Sequence, residues 1–107
     1  MNVSVDIDDK SYELNVPEAL LLEAVDFFDK MDKDMNCGWQ MSRWWVPDPD
    51  QTQRCQIVAD KLLTAMQQDN NEYALLMAAY ILHNKPGTRR IRLNIEGEIQ
   101  GNEFFEE

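Results

Sequence analysis

The sequence has no apolar run longer than the ten residues from Tyr73 to Leu82, and a membrane-spanning helix needs roughly 20. That run is expected to be a buried helix instead. Basic residues are scarce: ten Lys and Arg stand against twenty Asp and Glu, giving a formal net charge of −10. Neutralising phosphates takes clustered Lys and Arg, so the balance argues against nucleic acid as a direct ligand and equally against an anionic membrane surface. There is one histidine, His83, and there are two cysteines, Cys37 and Cys55, whose separation matches no zinc or thioredoxin spacing. They read as ordinary reduced thiols of a cytoplasmic protein. The chain opens Met1-Asn2-Val3-Ser4-Val5-Asp6, a strand pattern rather than a basic-then-apolar leader. The glycosylation triplet Asn2-Val3-Ser4 carries no meaning without secretion. Internal repeats, low-complexity tracts, a glycine-rich phosphate loop and a nucleophile motif are all missing.

What is present fits one domain. At 107 residues, scaling rules give a folded surface of roughly 6,000 Å² against roughly 18,000 Å² unfolded. Apolar residues make up 44% of the chain, enough to fill one modest core.

Val3, Val5 and Ile7 alternate with polar neighbours, as do Tyr12, Leu14 and Val16, with Asp8-Asp9-Lys10 between them; the pattern is a β-hairpin with one apolar face. Pro17 suits a first helical position and Glu18 suits its dipole. Leu21, Ala24, Phe28, Met31 and Met35 then recur at helical spacing, opposite Glu23, Asp26, Asp29, Lys30 and Lys33, up to a stop at Gly38. Residues 39–50 read as an irregular aromatic connector. Asp48, Pro49 and Gln51 resemble an N-cap, a first-turn proline and a capping-box partner for a second helix running to about Gln68. Its buried stripe is Cys55, Val58, Ala59, Leu62, Ala65 and Met66. A third helix, Glu72 to Asn84, is apolar all round and therefore enclosed. Pro86 and Gly87 suggest a type II turn, and Ile91, Leu93 and Ile95 alternate as a third strand. The expected fold is α+β, in the order β-β-α-α-α-β, with three helices on a small antiparallel sheet. The last strand is added antiparallel beside one of the first two. Residues 1–101 form the domain and 102–107 an acidic aromatic tail, either a disordered docking peptide or packed on the domain.

Candidate chemistry is thin. Asp32-Lys33-Asp34-Met35-Asn36 starts like a calcium loop, but Cys37 and Arg43 stand where glycine and glutamate are required. Cys37, Cys55 and His83 have no spacing that suggests ligation or nucleophilic catalysis; Cys55 lies on an apolar stripe and His83 suits a helix C-terminus. No metal, cofactor or catalytic residue is expected. Arg89, Arg90 and Arg92 form the sole basic cluster, read as cross-strand partners for Asp6 or Glu13.

Two surfaces remain. Residues 1–36 carry ten acids and three lysines, so most of the excess charge belongs to the hairpin and first helix. Glu23, Asp26, Asp29, Asp32 and Asp34 are the candidate contacts for a basic partner protein. Asp32 and Asp34 oppose the helix dipole, which calls for an early helix end near Met31 or a nearby arginine such as Arg43. Trp39, Met41, Arg43, Trp44 and Trp45 are the second candidate, either a lid on the core or an apolar interface. If extended, the connector points Trp44 and Trp45 opposite ways, so only one can be fully covered. The leading expectation is a small intracellular interaction protein of bacterial style, not an enzyme, binding a basic partner through its acidic hairpin–helix face. Inhibitor, antitoxin-like and nucleic-acid-mimic roles all fit that face. The alternative is an adaptor or small-ligand binder using the tryptophan connector; a small enzyme comes third. A homodimer is compatible with either surface.

Overall fold

A computed structural model describes residues 1–106. Their order is β1 (Asn2–Ile7), β2 (Lys10–Asn15), α1 (Glu18–Glu23), α2 (Val25–Asn36), β3 (Trp39–Met41), β4 (Trp44–Val46), α3 (Gln51–Gln67), α4 (Asn71–Asn84), β5 (Arg90–Leu93), a 3-10 turn (Ile99–Gly101) and β6 (Glu103–Phe105). The fold is a single small α+β domain with four helices rather than three.

The main sheet runs β2-β1-β5-β6. The first hairpin forms as its alternation predicts, with Val3 opposite Leu14 and Val5 opposite Tyr12. Asp8 takes φ 57 in the link, a conformation that aspartate tolerates. The expected antiparallel third strand is corrected: β5 lies beside β1 in parallel, with Val5 opposite Ile91. Parallel neighbours need a long crossover, and the four intervening helices supply it. β6 then pairs antiparallel with β5, so part of the tail is an edge strand. One sheet face is dry, with Val3, Val5 and Ile91 buried. The other is a polar surface, where Arg90 bridges Asp6 at 2.6 Å, the cross-strand pairing expected for the arginines.

The first predicted helix bends at Ala24, whose φ is −95. Ala24 still donates to the Leu20 carbonyl and accepts from Phe28 N–H, so the bend breaks little bonding. Beyond it, Phe28 enters the core edge-on to Tyr80, with centroids 5.8 Å apart. α3 starts two residues later than expected. Asp48 and Asp50 both have glutamine three positions on, but helical geometry begins only after Asp50. Asp50 therefore makes the box, accepting from Gln53 N–H at 2.8 Å while Gln53 Oε1 accepts from Asp50 N–H at 2.9 Å. α4 is enclosed as its apolar surface requires, burying Ala74, Met77 and every residue from Ala78 to Leu82. The turn after it closes from Thr88 N–H to the Lys85 carbonyl. Gly87 is not among the residues with positive φ, so the turn is not type II.

Candidate functional site

The aromatic connector is not irregular. β3 and β4 form a tight antiparallel hairpin, pairing Trp39 with Val46, Gln40 with Trp45 and Met41 with Trp44. Ser42 and Arg43 are its two-residue link, and Ser42 takes φ 59. Strand alternation puts Trp39, Met41, Trp44 and Val46 on one face and Trp45 on the other. Met41 is fully buried and Trp39 half-buried, so these two serve as a lid on the core. Trp44 shares their face but sits at the tip, past the edge of the core, and is 66% exposed; Trp45 is 59% exposed. Neither of the adjacent tryptophans is covered.

Two local devices hold this display in place. Gly38, at φ 97, lies under the Trp45 indole; a Cβ there would sit 2.4 Å from the ring. Only glycine combines that backbone angle with that approach. At the tip, the Ser42 hydroxyl donates to the Gly97 carbonyl at 3.0 Å and accepts from Ile99 N–H at 2.9 Å. The segment it grips is itself fixed, because Asn94 Oδ1 accepts from the N–H groups of Glu96 and Glu98. Buried Asn102 ties the segment's end to α3 through the Gln56 carbonyl. Glu96 and Glu98 flank Gly97 and are exposed, as are Arg43 at the turn and Asp48 just beyond β4.

The five acidic candidates do not form one face. Asp26 and Asp29 are exposed on the outer side of α2, with Lys33 one turn beyond Asp29, and Glu23 is exposed on α1. Asp34 lines a cleft beside Lys30. Asp32 turns inward, accepting from the Tyr80 hydroxyl at 2.5 Å and facing Arg54 at 3.4 Å. α2 continues past Met31 to Asn36, and the arginine at its C-terminus is Arg54 rather than Arg43. Arg54 donates to the Asp32 carbonyl, the Asn36 side chain and the Pro49 carbonyl, so it offsets the unfavourable dipole of α2. Spacing gave no sign of it, since Asp32 and Asn36 lie far away in sequence and on another helix.

Cys37 is exposed and Cys55 buried, and both are free. Burial pushes the Cys55 thiol up to about 12, so it stays protonated and unreactive at neutral pH. Desolvation, with the bond to Asp32 second, pushes the Tyr80 phenol well above its ordinary value. His83 is exposed with its ring 5.2 Å from that of Phe28. Among the described residues no three His, Cys, Asp or Glu side chains converge to hold a metal. No helix among them is long and apolar enough to cross a membrane. No protein-family model matches the chain, nor does any curated protein or solved structure.

Proposed function

We propose that the protein is a binding module that takes a basic segment of a partner protein onto the Trp44–Trp45 hairpin. The observation that carries this reading is the pinned display of two adjacent, largely exposed tryptophans. Indole surface in water is unfavourable, and tryptophan is the residue most enriched where interface energy concentrates. Glu96, Glu98 and Asp48 around the hairpin outnumber Arg43, so the local field favours a cationic ligand. Lysine or arginine stacking on an indole face adds cation–π attraction. The chain uses the same pairing internally, with Lys61 over Trp39 and Arg92 over Phe105. Inhibitor and antitoxin-like roles belong to this class of function.

A second reading keeps α2 as the contact, because Glu23, Asp26 and Asp29 are exposed there. Lys33 dilutes that face, which makes it the weaker site. Quantitative capture of basic proteins and Arg/Lys-rich peptides separates the two. Trp44→Ala and Trp45→Ala should each weaken capture about 30-fold, as loss of a central anchor does, while circular dichroism stays native. Glu96→Gln with Glu98→Gln should weaken capture and flatten its salt dependence. Loss of capture on Asp26→Asn with Asp29→Asn, with the tryptophan variants still binding, supports the α2 reading instead. Unfolding of either tryptophan variant sinks the hairpin reading.

A further inference from the structure

A cleft of about 260 Å³ opens between α2, β3, α3 and α4. Its apolar surface comes from Phe27, Met31 and Met35 on α2, Trp39 on β3 and Tyr73 on α4. The volume falls below the roughly 300–1,000 Å³ of sites for drug-sized ligands, so the occupant is limited to one or two rings. Lys30 and Lys61 also line it, from α2 and α3.

Twenty acids face ten bases in this chain, yet neither lysine makes an ion pair among the described residues. Lys61 holds its ammonium 4.9 Å from the Trp39 ring centroid, over the apolar surface. Asp34 is the one carboxylate lining the cleft, leaving a local balance of two cations to one anion. Two ammoniums are the wrong charge for a basic partner segment, so the cleft takes a different kind of ligand from the hairpin tip, although Trp39 links the two.

We infer that this cleft binds a small aromatic monocarboxylate, its rings between the Trp39, Phe27 and methionine side chains and its carboxylate between Lys30 and Lys61. Thioether and ring surfaces suit a flat π-system, and two unpaired ammoniums select the anion over its neutral analogue.

The test titrates the intact protein with 2-naphthoate and with 2-naphthamide by ligand-observed NMR. Naphthoate should saturate with Kd on the order of 1 mM, as its few heavy atoms allow, and the amide should bind about five-fold more weakly. Lys61→Met, which keeps an apolar stem, should erase most of that preference. Asp34→Asn should tighten naphthoate binding a few-fold, a gain that damage to the fold does not produce. Trp45→Ala should leave naphthoate affinity unchanged, which keeps this outcome apart from the fate of the hairpin reading. Equal binding of acid and amide, or no saturation, overturns the inference. So does an Asp34→Asn variant that binds naphthoate no better.

Discussion

Replacing Arg54 by methionine keeps the packing of its stem and removes a charge that joins three segments. The guanidinium donates from Nε to the Pro49 carbonyl at 2.8 Å and from Nη2 to Asn36 Oδ1 at 2.5 Å. Its Nη1 lies 3.3 Å from the Asp32 carbonyl and 3.4 Å from the Asp32 carboxylate. Asp48 sits farther off, at 3.7 Å, and is 86% exposed, so that pair contributes close to nothing. A shielded charge-assisted hydrogen bond contributes about 1.5–3 kcal/mol. The Arg54 side chain is only 17% exposed, so the Pro49 bond approaches that value. Asn36 lies in solvent and Asp32 is half-exposed, which discounts the other contacts to about 1 kcal/mol together. Side-chain freedom regained on removing the ordered arginine offsets roughly 1 kcal/mol. The expected net loss is about 2 kcal/mol. An unfolding entropy of about 2.1 cal/mol/K per residue converts this to a Tm lower by roughly 9 °C. Urea titration and calorimetry measure it. A loss under about 0.5 kcal/mol, the level of an ordinary surface change, refutes the reasoning. A double-mutant cycle with Asp32→Asn should also show a coupling of at least about 0.5 kcal/mol.

Further outcomes follow from the two thiols and from Asp6. In native protein at pH 8 a thiol reagent should modify one cysteine per chain quickly, the exposed Cys37, and reach Cys55 only after denaturation; two fast thiols contradict the burial of Cys55. Because folding raises the Cys55 pKa from 9.0 to about 12, its contribution is complete below pH 9 and is lost as pH rises through that interval. Asp6 works in the opposite direction. The Ser11 hydroxyl and the Arg90 guanidinium hold its carboxyl below the ordinary 3.8, so its contribution is complete above about pH 4 and is lost as pH falls through the lowered value. Asp6→Asn should therefore be less stable than the parent at pH 7, with the gap closing toward pH 2 in urea titrations. A pH-independent gap contradicts this.

Periodicity carried the parts of the fold that depend on one side chain after another. Val3-Val5 against Tyr12-Leu14, the stripe of α3 and the all-round apolar surface of α4 are each a local repeat with one physical solution, burial of the apolar side. Relations between segments were not legible in this way. The direction of β5 depends on where four helices deliver the chain, and alternation is the same for parallel and antiparallel neighbours. Asp48 and Asp50 offer identical capping spacing, so spacing alone does not choose between them. The acidic candidates were drawn from composition and grouped by sequence, but helical geometry splits them. Asp32 turns toward Tyr80 and Arg54, Asp34 toward the cleft, and Asp26 and Asp29 toward solvent. The tryptophans were legible as a cluster. Their division into a half-buried Trp39, beside buried Met41, and an exposed pair, Trp44 and Trp45, was not, because it depends on where the core ends.

A net charge of −10 does not by itself choose a ligand for this molecule. Exposed charges are screened over about 8–10 Å at physiological salt, while the domain measures 33 × 33 × 26 Å. Each surface therefore responds most strongly to the few charges nearest it rather than to the total. At the hairpin those charges are carboxylates beside indole, a combination that attracts cations. At the cleft they are two ammoniums beside indole and thioether, which attract an anion. The same aromatic chemistry is thus given opposite selectivity by a handful of neighbours. It follows that added salt should weaken both kinds of binding, while a charge change at one surface acts mainly on the ligand bound there. Coupling between them, seen as an altered naphthoate affinity when a basic peptide is bound, would require motion of β3, the strand that carries Trp39 and continues into the hairpin tip.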